Sequence, residues 1–196
     1  MTQIPTSFAA MATYSTVDVG GYSWMLLHRS DGSVELSPSG EPRLPDVTLL
    51  ERPGDNDIPT YRATVRAAGI FDLVARHDGF TSAEAAVAWA SAFEFATRQA
   101  GSLTWRALAP DASNWYAVIG AGVAEIAAFE HGGSATYVVK RRLQLGKQAV
   151  EFSITDLSIV SFEQASAIAL TMPDYVMELM RVPADATQPA VPGTAG

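Results

Sequence analysis

The chain has 196 residues, 48% of them apolar and 17% charged, enough apolar material for a folded core and too much for global disorder. Thirteen Lys and Arg against 21 Asp and Glu leave a net charge of −8, which argues against nucleic-acid coating as the main task, because backbone affinity comes from cations. With no cysteine, disulfides, thiolate zinc sites and a cysteine nucleophile are excluded, and no apolar run approaches the ~18 residues of a membrane-spanning helix.

The first residues, MTQIPTSFAAMATYS, lack a basic start and a long apolar stretch, so no secretory signal is expected. Residues 13–36 read as a β-hairpin. Tyr14, Val17, Val19, Tyr22, Trp24 and Leu26 form its first arm, interrupted by Gly20-Gly21, and Val34 to Leu36 form its second. Asp31-Gly32 supplies the turn, since both central residues of such a turn need positive φ. Residues 37–60 carry Pro38, Pro42, Pro45, Pro53 and Pro59 and are expected as one long loop. Loops of that length are usually functional or flexible, and contact with another subunit would fit.

Residues 61–75 alternate as a strand, with Gly69 as a candidate bulge and His77 to Phe80 as a turn. Thr81 and Glu84 have capping-box spacing, Gly101 stands where a C-terminal cap belongs, and Ala85, Trp89, Phe93, Ala96 and Ala100 recur at steps of three to four. That pattern predicts one long amphipathic helix over about 81–100 lying on a sheet. A short strand follows at 102–108, then a long one at 115–129. Gly132-Gly133 turns the chain into a strand over 135–145. Residues 151–160 read as strand, and 162–172 and 174–181 as two short helices parted by Pro173. Residues 183–196 have no periodicity and are expected as a tail. No internal repeat is seen. The fold class is α+β, mainly β: an antiparallel β-sandwich or small barrel with one long helix. Its domains are a core over 1–150, an extension over 151–182 and the tail.

Candidate chemistry is sparse. The string from Val118 to Glu125, with Gly120 and Gly122, is similar to a dinucleotide-binding turn, but Glu125 stands at the third glycine position and would repel a pyrophosphate. A glycine-bulged strand is the simpler reading. His28, His77 and His131 are far apart without metal-ligand spacing. Asp46, Asp55 and Asp57 lack the partners of a calcium loop. No catalytic residue, cofactor or metal site is assigned. Lys140, Arg141, Arg142 and Lys147 form the one basic cluster, and alternation sends Lys140 and Arg142 to one face and Arg141 to the other. This cluster either meets an acidic surface of a neighbouring copy or guards a sheet edge.

The order of elements, with Ala100-Gly101-Ser102-Leu103-Thr104-Trp105 restarting a sheet after the helix, resembles the tail tube and distal tail (baseplate hub) proteins of long-tailed bacteriophages over residues 10–150. The resemblance implies a structural virion component without catalysis, assembled in the host cytoplasm. It also implies a ring, commonly a hexamer, joined through sheet edges and the long loop. Other tail proteins would be its neighbours, DNA would pass through a lumen, and no membrane would be involved. Tube, terminator and baseplate adaptor remain open. The chemistry of the loop and the basic strand suggests Pro42, Pro45, Leu49, Leu50, Pro53, Asp55, Asp57, Lys140, Arg141 and Arg142 as interface residues. The alternatives are a ligand-binding or adaptor module with a pocket lined by Trp89, Trp105 and Trp115, and, less favoured, a nucleotide-cofactor enzyme.

Overall fold

Short apolar-alternating runs punctuated by glycine can only bury their apolar faces as strands of a sheet. The computed structural model describes residues 7–41, 44, 46–54, 58–145 and 148–180. In chain order they form β1 (Thr16–Val19), β2 (Tyr22–His28), β3 (Val34–Pro38), β4 (Val47–Arg52), β5 (Thr60–Ala67), β6 (Ile70–Phe80) and α1 (Ala83–Ala92). Then come β7 (Ala96–Ala100), β8 (Leu103–Ala107), β9 (Asn114–Ile119), β10 (Gly122–His131), β11 (Ser134–Leu145), β12 (Gln148–Thr155) and α2 (Phe162–Met180). More than half of the described residues lie in strands, so the chain is α+β and mainly β. Two six-stranded antiparallel sheets, ordered β1-β2-β3-β4-β5-β6 and β12-β11-β10-β9-β8-β7, follow the chain without crossovers.

Several expected elements are corrected. The long helix over 81–100 is absent: α1 has ten residues, and Phe93 leaves it in an extended conformation, φ −73° and ψ 127°. Phe93, Phe95 and Thr97 are aromatic or β-branched and favour extended backbone, and Ala96–Ala100 is strand. The N-cap is Ser82, whose hydroxyl accepts from the Ala85 amide, and Gly101 sits in the turn between β7 and β8. The buried stripe is Ala83, Ala86, Val87 and Ala90, while Ala85 is exposed. In an alanine-rich segment the 3.6 period fits more than one face, and packing on β4, β5 and β6 selects this one. The two C-terminal helices are one: α2 runs through Pro173 to Met180. An interior proline removes one hydrogen bond; burial of Phe162, Ala165, Ala169 and Met172 opposes that loss.

The stretch expected as a loop over 37–60 holds β4, and the expected turn at His77 to Phe80 belongs to β6. Gly20-Gly21, Gly69 and Gly120 are turn glycines between consecutive strands, each with positive φ. The expected strand over 115–129 is therefore two strands. The boundary expected at residue 150 falls inside β12, and the tail over 183–196 lies outside the described residues.

A repeat emerges that the sequence reading does not see. Each half of the chain is a six-strand meander followed by a helix. Each helix packs mainly on the fifth strand of its own meander. From the turn before the second strand through the third strand of each meander, residues 81 apart take equivalent places: Gly20 and Gly101 turn at φ 60° and 59°. Buried Trp24 and Leu26 in β2 answer to buried Trp105 and Ala107 in β8, and Val34 and Leu36 in β3 to Trp115 and Ala117 in β9. The helices start alike. Ser82, Glu84, Ala86, Ala88 and Ala90 recur as Ser161, Glu163, Ala165, Ala167 and Ala169, and the Ser161 hydroxyl accepts from the Gln164 amide at 3.1 Å as Ser82 does from Ala85 at 3.2 Å.

Contacts cluster the chain into two compact units, residues 1–99 with 104–118, and residues 100–103 with 119–196. The core of the first gathers Trp24, Leu26, Leu36, Leu49, Ala63 and Val87 between the first sheet and α1. In the second, α2 lies on β10 and β11, with Phe162 edge-on to Tyr137 at 6.3 Å.

Candidate functional site

Alternation along β4 turns Val47, Leu49 and Glu51 toward the core, and a carboxylate there needs hydrogen-bond donors. Glu51, 3% exposed, receives them from three residues. The Tyr61 hydroxyl donates at 2.9 Å from the opposite position on β5. The Ser7 hydroxyl donates at 2.7 Å, and the Phe8 amide reaches both oxygens at 3.1 and 2.9 Å. Phe8 is fully buried and meets Tyr61 edge-on at 6.3 Å. Burial, reinforced by the neighbouring Glu51 charge, raises the Tyr61 phenol above its ordinary 10.0. With Glu51, Tyr61 and Phe8 all buried, the cluster ties the residues before β1 to the sheet, which makes it a structural clasp.

The cleft of the first unit lies where α1 crosses β6. Its volume is about 460 Å³, and Val74, Ala75, Arg76, Trp89, Phe93 and Leu108 line it. Trp89 stacks toward Phe93 at 5.2 Å and His77 at 5.5 Å, and His77 meets Phe80 at 4.7 Å. Phe93 continues to Phe95 at 5.0 Å. Leu108 is 50% exposed and Arg76 is exposed. A shallow apolar wall with one guanidinium at its edge can accept a flat apolar group joined to an anion. Of the three tryptophans expected to line a pocket only Trp89 does; Trp105 and Trp115 are buried in the core.

The basic strand is β11. Lys140 reaches Glu125 on β10 at 3.5 Å, and Arg142 pairs with Glu151 on β12 at 3.0 Å. Arg141 points the other way and is buried, 3% exposed. Its Nη2 donates to the Ile119 carbonyl at 2.7 Å, while Nε and Nη1 have no acceptor among the described residues. Desolvation lowers its pKa below the ordinary arginine value.

The remaining expected interface residues separate. Leu49 is core, Leu50 is half-buried on β4 and Pro53 is exposed beyond it. Pro42, Pro45, Asp55 and Asp57 lie outside the described residues, as does Lys147. The glycine string forms the turn between β9 and β10, and no helix follows it, so a pyrophosphate would find no helix N-terminus there. Among the described residues no group of His, Asp or Glu is placed to hold a metal ion. No helix among them is long and apolar enough to cross a membrane.

Two further surfaces come from backbone arrangement. Among the described residues each sheet ends on a strand with one side that has no neighbouring strand: β1 and β6 in the first, β7 and β12 in the second. Near the start of β6, Phe71 is 85% exposed. No protein-family model, curated protein or solved structure matches the chain.

Proposed function

We propose that this protein is a structural subunit that assembles with copies of itself, of the kind that builds the tail of a long-tailed bacteriophage as tube, terminator or baseplate adaptor. The observation that carries the reading is the pair of open meanders, whose terminal strands have one side without a neighbouring strand among the described residues. Such edges are templates for a further strand unless they are covered or blocked. Exposed Phe71 and Leu108 add apolar surface that association would remove from water. On this reading the chain acts within the virion, joined to itself in a ring and to neighbouring tail proteins, without a catalytic step.

Light scattering on a sizing column over a concentration series, with negative-stain images of the peak, tests it. Rings, tubes or a discrete oligomer support the reading; a monomer at every concentration opposes it. The Trp89 cleft favours a second reading, a binding module for a ligand with a flat apolar part and an anionic group. Saturable thermal stabilisation by such compounds would support that reading.

A further inference from the structure

We infer that β12 is the self-association edge and pairs antiparallel with β12 of a second copy, Phe152 lying opposite the partner's Phe152. The inference rests on the reading that the chain assembles with itself and names the strand, the partner and the register.

The four open edges differ in how they are protected. β1 has four residues and β7 five, one of them Arg98. β6 is long but exposes Asp72, Arg76 and Asp78 along its length. Short strands and charges are the usual means of keeping edges apart. β12 has eight residues, QAVEFSIT, with no proline, glycine or lysine. Its single charge, Glu151, is already paired with Arg142 on β11.

The buried row of the second unit, Val139 and the cation Arg141 among it, also runs out to this edge. Register sets Ile154 opposite Val139 and Phe152 opposite Arg141. Val139 and Arg141, one strand further in, are buried, whereas Val150, Phe152 and Ile154 are only half-buried. A strand added beyond β12 would continue the row.

Self-complementarity fixes the register. Directly opposed residues share a face in an antiparallel pair, so a two-fold axis passes through a residue position, and two positions keep most of the strand in the seam. Centring on Glu151 would oppose two like charges, which destabilises a pair. Centring on Phe152 opposes Val150 to the partner's Ile154 and Glu151 to the partner's Ser153. The seam is isologous and joins two subunits, leaving β1, β6 and β7 for the contacts that close a ring.

The absence of native cysteine gives a clean test. Glu151→Cys and Ser153→Cys are made as separate chains at exposed positions, checked for native circular dichroism, mixed and mildly oxidised. The register predicts a disulfide dimer in the mixture and little in either chain alone. Like positions are diagonal, about 7–8 Å apart, beyond the roughly 4.4–6.8 Å of a disulfide. Hydrogen exchange of the unmodified chain should show amides over 149–155 gaining protection as concentration rises. A mixture without disulfide, in a sample that light scattering shows to be oligomeric, overturns the seam and leaves self-assembly standing. A monomer at every concentration overturns both.

Discussion

Tyr61 and Glu51 stand opposite one another on β5 and β4, with the phenol donating to the carboxylate at 2.9 Å inside the core. The same carboxylate receives the Phe8 amide and the Ser7 hydroxyl, so its removal strands three donors. Glu51→Ala should therefore destabilise the fold by about 3 kcal/mol or more, and Tyr61→Phe by about 1–2 kcal/mol, read from urea midpoints.

The raised phenol pKa also fixes a pH dependence. In the unfolded chain the phenol ionises near 10.0, and in the folded chain only at higher pH. The stabilisation is thus whole below pH 10 and is lost as pH rises above it. Urea midpoints of the native chain should fall between about pH 9 and about pH 11. Tyr61→Phe should flatten that fall, and an unchanged slope would show that folding does not raise the Tyr61 pKa.

Gly20 and Gly101 form a natural control pair. Both turn with nearly equal positive φ, 60° and 59°, but a Cβ on Gly20 would meet Val87 Cγ1 at 2.5 Å, whereas on Gly101 it would meet nothing within 4 Å. Gly101→Ala carries only the backbone cost, about 1 kcal/mol. Gly20→Ala adds a clash with α1 and should cost about 1–3 kcal/mol more. Equal melting-temperature losses would show that the space between β1 and α1 yields freely.

Arg141 and Arg142 are neighbours on β11 with opposite expectations. Arg142 pairs with Glu151 at a half-exposed site, and Arg142→Ala should shift stability by less than about 1 kcal/mol. Arg141 is a desolvated cation with two unpartnered nitrogens among the described residues. Replacing it with an apolar side chain of similar length removes that cost, so Arg141→Met should be neutral or stabilising by about 1–4 kcal/mol in denaturant titrations. A large loss would mean that the guanidinium has an acceptor in the folded protein.

What the sequence made legible follows from the range of the forces involved. Asp31-Gly32 and Gly132-Gly133 are local signals, and both turns form between paired strands. Gly20, Gly69 and Gly120 are equally visible, but positive φ alone does not separate a bulge from a turn; the pairing around it does. The helix over 81–100 failed because its stripe has the right period and its second half prefers extended backbone. The Ser-x-Glu-x-Ala-x-Ala-x-Ala string before and within each helix was the one sequence signal of the repeat. Its strands hide the repeat because equivalent core positions exchange size, as Leu26 does with Ala107 and Val34 with Trp115. The Glu51 clasp was unreadable, since its donors come from 10 and 44 residues away.

Trp89 is the half-exposed member of a chain whose other tryptophans, Trp24, Trp105 and Trp115, are buried. Its stacking on Phe93, His77 and Phe80 places its indole at the surface of the cleft. Acrylamide quenching of the native protein should therefore fall mainly on this residue, and Trp89→Phe should remove most of the quenchable emission while keeping the aromatic row. If the cleft holds ligands, an aromatic carboxylate should shield Trp89 saturably, and Arg76→Ala should weaken that shielding by a few-fold, since an exposed charge contributes roughly 0.2–1 kcal/mol. Equal binding by the uncharged analogue would leave the cleft as plain apolar surface, open to burial in an assembly instead.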